Sequence, residues 1–137
     1  MPIVVDASVA AKWLLRDETS KTADAVLAEV GRKGAVVPSI FPFEIENILL
    51  VAERRKRLEP RDVAEGIALL KAIELTVEPA PTRSIGRFLE IARQGKLSSY
   101  DAAYLELAER TGEPLYTADT RLAQAARDRA VMAVVVT

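Results

Sequence analysis

The sequence predicts an α/β fold with a mainly parallel central sheet of about five strands and helices on both faces. Three observations carry this. Short apolar runs, most of them β-branched, recur along the whole chain. Between them lie one or two stretches whose apolar residues repeat every three or four positions. Half of the 137 residues are apolar, with no internal repeat, low-complexity tract or linker, so residues 1–137 read as one domain.

Residues 2–5 form the first strand, and Asp6 ends it. The next helix carries Val9, Lys12, Trp13 and Arg16, with Val9 and Trp13 facing inward. Ala23, Val26, Leu27 and Val30 mark a second helix, expected to fray from Gly31 to Gly34. Residues 35–37 give a second strand, stopped by Pro38. Ile45, Ile48, Leu49 and Ala52 define a third helix reaching about Arg57. Pro60 suits the first turn of a fourth, with Val63, Ile67 and Leu70 as its inner face. Residues 75–77 form a short strand. Ile85, Phe88, Leu89 and Ala92 give a fifth helix, ended by Gly95. Ser98 opens a sixth helix with Tyr100, Ala103, Tyr104 and Leu107 as one stripe, and Gly112 closes it. Residues 114–117 are a strand, Leu122, Ala125 and Ala126 lie on a last helix, and residues 131–136 are the final strand.

The composition removes many chemistries. There is no cysteine and no histidine. Thiol catalysis, disulfides, His-based triads and His- or Cys-ligated zinc are therefore excluded. Carboxylates, hydroxyls, lysine and hard metals remain. The net charge of −1 gives no global attraction to nucleic acid, so any such contact needs a local basic patch. No apolar run is long enough to span a membrane, and Asp6 and Lys12 break any secretory pattern. A cytoplasmic protein is expected.

Four acids stand at junctions between elements. Asp6 ends the first strand, and Asp119 follows the strand at 114–117. Glu44 and Asp101 lie in the first turns of helices. In open α/β sheets, sites form at the carboxyl ends of the strands, where these four can converge. Each also has an ordinary role. Ser98 and Asp101 have capping-box spacing, Asp6 and Asp119 suit N-caps, and Glu44 suits the positive end of a helix dipole. Against this, Asp101 lies in line with Leu105 and Ala108 on an apolar stripe, where an unpaired carboxylate is costly. Two carboxylates about 4 Å apart repel by about 4 kcal/mol at an effective dielectric near 20. No basic residue in these stretches is an evident partner. A hard cation such as Mg²⁺ or Mn²⁺, which prefers oxygen ligands, would remove the conflict.

These motifs resemble those of PIN-domain proteins, most closely the VapC toxins of prokaryotic toxin–antitoxin pairs. Residues 5–9, followed by Lys12 and Trp13, resemble the family's opening motif. Residues 38–47, with Glu44 and Asn47 three apart, resemble the second. Ser98, Tyr100, Asp101, Ala102, Tyr104 and Leu105 resemble the third. Thr117, Asp119 and Leu122 resemble the fourth. Four motifs in order span nearly the whole chain.

The resemblance implies a Mg²⁺- or Mn²⁺-dependent endoribonuclease that leaves 5′-phosphate and 3′-hydroxyl ends. Asp6, Glu44, Asp101 and Asp119 take the catalytic and metal-binding positions, with Asp6 and Asp101 the first ligands. Ser8 and Thr117 take supporting polar roles. Asn47 either orients Glu44 or a water, or is plain helix surface. The resemblance also implies a homodimer and a VapB-type antitoxin whose tail blocks the site. Apolar residues on the second to fourth helices are the candidates for its groove. RNA needs a basic rim, and Arg54, Arg55, Lys56 and Arg57 form the densest basic run, although a solvated helix end is the reading that run favours over phosphate contact. Trp13 and Tyr104 read as core or interface residues before base-stacking ones. Two other classes are weighed: a non-enzymatic RNA- or protein-binding module, and an aspartate-based phosphotransfer protein. The second wants a further acid where Ser8 stands, or a lysine after the last strand, and residues 131–137 have none.

Overall fold

Five parallel strands, in the order β3-β2-β1-β4-β5, form the centre of the computed structural model, which describes residues 1–137. They are β1 (Ile3–Val5), β2 (Ala35–Pro38), β3 (Leu75–Glu78), β4 (Leu115–Thr117) and β5 (Ala133–Val135). The helices are α1 (Ala7–Leu14), α2 (Lys21–Lys33), α3 (Phe41–Arg54), α4 (Pro60–Ala72), α5 (Arg87–Gly95), α6 (Ser99–Thr111) and α7 (Thr120–Asp128), with short 3-10 turns at Arg16–Glu18 and Thr82–Ser84. Every predicted strand is present, and the sheet is wholly parallel.

β1 lies at the centre because both its faces are apolar. Val4 joins a large core with Ala10, Leu49, Leu105, Leu107 and Leu122, among others. Ile3 and Val5 point the other way, into a smaller core with Val9, Ala23, Val26 and Val30. This is the alternation that a strand covered on both faces requires. Trp13 fastens α1 to α2, its indole N–H donating to the Ala23 carbonyl at 2.9 Å.

Several boundaries differ from expectation for identifiable reasons. α1 stops at Leu14, because Leu15 turns extended and is buried, which leaves Arg16 in the following turn. α2 does not fray at Gly31. It runs on to Lys33 because Val30 is fully buried, and a helical glycine costs only about 1 kcal/mol. Gly34, at φ 77°, ends it. α3 ends at Arg54, since Lys56 takes a left-handed φ of 59° and the buried Leu58 brings the chain back inward. Ile67, Leu89 and Tyr100, each expected to face inward, are exposed. Ile85 is also exposed and precedes α5, which starts after Gly86.

The strand order fixes where a site can form. From β1 the chain steps to β2 and β3 on one side of the sheet; β4 and β5 lie on the other. The reversal between β1 and β4 is a topological switch point, where the crevice beyond the strand ends is open. Asp6 and Asp119 follow these two strands. No helix is long and apolar enough to cross a membrane.

Candidate active site

The register of β1 and β4 brings two of the acids together. Val5 pairs with Tyr116, and the Asp6 N–H donates to the Tyr116 carbonyl at 3.1 Å. Asp6 thus ends level with Thr117. It is the N-cap of α1, accepting from the Ser8 N–H through Oδ1. Its Oδ2 accepts from the Thr117 hydroxyl at 2.5 Å. Asp6 is only 5% exposed. Burial pushes its carboxyl above the usual range, while Thr117 and Ser8 pull it back.

Thr117 is fully buried and serves two acids. Besides donating to Asp6, its Oγ1 accepts from the Asp119 N–H at 3.0 Å. Asp119 caps α7, its Oδ1 accepting from the N–H groups of Arg121 and Leu122 at 2.8 and 3.4 Å. Ser8 closes the arrangement, its Oγ accepting from the Ala118 N–H at 3.0 Å. The supporting polar roles read for Ser8 and Thr117 therefore have specific contacts.

Asp101 enters from the first turn of α6. Ser98 is the N-cap, accepting from the Asp101 N–H at 3.1 Å. The reciprocal half of a capping box is absent, and the Asp101 carboxylate has only the Ser98 side chain as a hydrogen-bonding neighbour. Burial raises its pKa, and so do the charges of Asp6 and Asp119; Ser98 and Arg121 lower it. Glu44 enters from the first turn of α3. Its Oε1 accepts from the Tyr104 hydroxyl at 2.5 Å. Burial is the main cause of its raised pKa, with Asp6 and Asp101 adding repulsion. Tyr104 is 1% exposed, and its phenol is pushed far up by burial and by Glu44.

The four acids thus share one electrostatic environment at the carboxyl edge of β1 and β4, and none is in an ion pair. Asn47 is exposed and makes no side-chain hydrogen bond. The acidic side chains do not close into a cage of three or more. Mg²⁺ does not need one, because it keeps several waters and usually takes one or two carboxylates directly. The donor set fits such an ion. Asp6 retains lone pairs on both oxygens, Asp101 has only the Ser98 side chain as a hydrogen-bonding neighbour, and neither is in an ion pair, although the Arg121 charge lowers the Asp101 carboxyl.

A PIN-domain profile matches residues 3–128. The chain belongs to the PIN-domain family. Its relatives narrow this to the VapC group. The chain is 32% identical over 123 residues to Ribonuclease VapC3 of Mycobacterium tuberculosis, covering 90% of this chain and 86% of that one. It is 31% identical over 134 residues to VapC ribonuclease Mb0985 of Mycobacterium bovis, covering 97% and 98%. In fold it resembles the crystal structure of PAE2754 from Pyrobaculum aerophilum, with a TM-score of 0.67 at 22% identity over 98% of this chain and 91% of that one.

Within this candidate site, the roles of two residues escape a reading by motif. Tyr104 reads as core, yet its hydroxyl holds Glu44. The available signal was chemical: a buried tyrosine needs an acceptor, and Glu44 needed a donor. Arg121 escapes because its influence on Asp101 shows only once α7 is set against α6. The basic run at residues 54–57, by contrast, lies at the far end of α3. Arg54 is ten residues beyond Glu44, about 15 Å along the helix axis. Arg57 is engaged by Asp17 and Glu18 at 2.7 and 3.1 Å.

Proposed function

We propose that this protein is a divalent-metal-dependent endoribonuclease and the toxin of a toxin–antitoxin pair. The observation that carries the reading is the meeting of Asp6, Glu44, Asp101 and Asp119 at the switch point with no cation among their ion-pair partners. The names of the similar VapC ribonucleases support RNA as the substrate.

Asp6 and Asp101 would hold the ion, with Asp119 and Glu44 reaching it directly or through water. When bound, a divalent ion there neutralises charge on the scissile phosphate and acidifies an attacking water. Glu44 is suited to take that water's proton. Its raised pKa brings its basicity toward neutral pH, and Tyr104 fixes one oxygen while leaving the other free. Thr117 and Ser8 hold Asp6 in one orientation from both oxygens' sides. No protein nucleophile is needed, in keeping with the absence of His and Cys.

The antitoxin is assigned to the apolar groove of about 280 Å³ lined by Phe41, Ile45 and Leu49 of α3, Ile67 and Leu70 of α4, and Val77 of β3. This differs from the sequence expectation in using the β3 edge rather than α2. Phe41 and Ile45 bracket Glu44 in sequence, so a chain leaving the groove at that end meets the site.

The test is cleavage of total RNA by the purified chain. Activity with Mg²⁺ or Mn²⁺, its loss in chelator, new 5′-phosphate ends, and dead but folded Asp6→Asn and Asp101→Asn variants are expected. Absence of cleavage by the wild type would favour the binding module, and labelling by a phosphoryl donor would favour phosphotransfer.

A further inference from the structure

Two aromatic side chains at the edge of the site face solvent, and each immediately precedes a site acid. Tyr100, before Asp101, is 58% exposed, although Ala102, Tyr104 and Leu105 on the same helix are buried. Its hydroxyl makes no hydrogen bond. Phe43, before Glu44, is 71% exposed. The Tyr104–Glu44 hydrogen bond ties the first turn of α3 to α6, the two helices from which these rings project. Exposing two rings gains nothing for the fold, since a buried aromatic is worth more than an exposed one.

A cation also stands at the edge of the site. Arg121, in the first turn of α7, is exposed and forms no ion pair. Its main-chain N–H is held by Asp119, and its Nη2 donates to the Lys96 carbonyl at 2.9 Å. That contact depends on a close approach of α5 to α7. A Cβ on Gly95 would come within 3.1 Å of the Ala125 Cβ, so glycine suits this close approach and a larger residue would crowd it. The guanidinium is thereby fixed beside Asp101, whose carboxyl it pulls downward, with its remaining N–H groups open. A lone arginine held over an acidic site without an acid of its own is suited to a phosphate.

We propose that Tyr100, Phe43 and Arg121 form the seat for a single-stranded RNA segment, the rings stacking on splayed bases and the guanidinium binding a neighbouring phosphate. This rests on the ribonuclease reading and adds to it three residues outside the acidic cluster that hold the substrate. Paired bases in a helix are stacked on each other and do not present their faces, whereas an unpaired stretch does. The strand runs past the α6 and α7 starts, away from the basic residues at 54–57.

The test uses an Asp6→Asn background, which traps uncut RNA, and a fluorescent single-stranded oligonucleotide titrated at several salt concentrations. Tyr100→Ala is expected to weaken binding about tenfold, and Tyr100→Trp to restore it. Phe43→Ala acts in the same direction. Arg121→Gln is expected to lower the slope of log affinity against log salt by about 0.7, the value for one phosphate contact on a single strand. A duplex of the same sequence should bind poorly. Equal binding of duplex and single strand, or Tyr100→Ala and Arg121→Gln variants that bind like their parent, would overturn the seat. In that case wild-type cleavage still stands, whereas failure of the wild type to cut any RNA removes the ribonuclease reading itself.

Discussion

The Thr117 hydroxyl donates to Asp6 Oδ2 across 2.5 Å, and Thr117 Oγ1 itself accepts from the Asp119 N–H at 3.0 Å. One buried hydroxyl therefore sets the ends of β1 and β4 relative to each other and orients two acids. Replacing it tests both functions. Thr117→Val keeps the shape but leaves a buried carboxylate oxygen and an N–H unpaired. A stability loss of about 1–2 kcal/mol in denaturant unfolding is expected. The hydrogen bond holds the Asp6 carboxyl down. Without it that carboxyl rises further, so the acid limb of the pH–rate profile should move to higher pH. An unchanged profile would show that Asp6 does not titrate in the reaction.

Asp101 and Asp6 are both acids at the site, yet they differ in how much the fold uses them. Asp6 is a helix cap with two donors; Asp101 caps nothing and has only the Ser98 side chain as a hydrogen-bonding neighbour. In metal-free buffer at neutral pH, Asp101→Asn should raise the melting temperature by removing repulsion from Asp6 and Asp119. The pH dependence has a definite sign. A carboxyl with a raised folded-state pKa stabilises the fold fully below its unfolded value, and that contribution is lost as pH rises through the raised one. The advantage of Asp101→Asn over wild type should accordingly be greatest above neutrality and vanish toward pH 4. A melting temperature that falls on substitution at pH 8 would reveal a structural role for this carboxylate.

Tyr104 offers a third test, because its role is hidden in the core. Tyr104→Phe preserves packing and removes the only hydrogen bond to Glu44 Oε1. A loss of about 1 kcal/mol is expected, at the lower end for a bond to a charged group because Glu44 is half-exposed. Glu44 should then swing free, and cleavage should fall at least tenfold with little change in RNA affinity. An equal fall in affinity would argue that Tyr104 shapes the binding surface instead.

These residues also show how far the sequence reveals its own structure. The strands were legible because β1 and β2 are short runs with no polar interruption, and the acids were legible because each ends a strand or begins a helix. Helix faces were less so. Tyr100 falls on the same periodic stripe as Tyr104 and Leu107, but it lies in the first turn of α6, where no neighbour covers it. Ile67 fits the inner face of α4, yet Gly66 is the residue that meets α1; its absent Cβ would approach Leu14 to 3.1 Å. Periodicity gives which residues share a face, and neighbours decide how much of that face is covered. Arg121 and Tyr104 act across α6–α7 and α3–α6 contacts, which no local pattern encodes.

The remaining prediction concerns the ion. If Asp6 and Asp101 hold a divalent cation only in the folded chain, binding must stabilise the fold by mass action. At a Mn²⁺ concentration a hundred times its dissociation constant, the gain is about 2.7 kcal/mol. It should appear as a concentration-dependent rise in melting temperature, reversed by chelator. Asp101→Asn should start from a higher melting temperature without metal and gain little when it is added, so the two curves cross. Asp119→Asn keeps an N-cap for α7 and should show an intermediate gain, because its Oδ1 is already committed to Arg121 and Leu122 N–H groups. The crossing separates ligation from general screening, since screening can at most erase the repulsion that Asp101→Asn already lacks, which brings the curves together without crossing them. Parallel curves for wild type and Asp101→Asn would mean that the acids repel one another without gathering an ion.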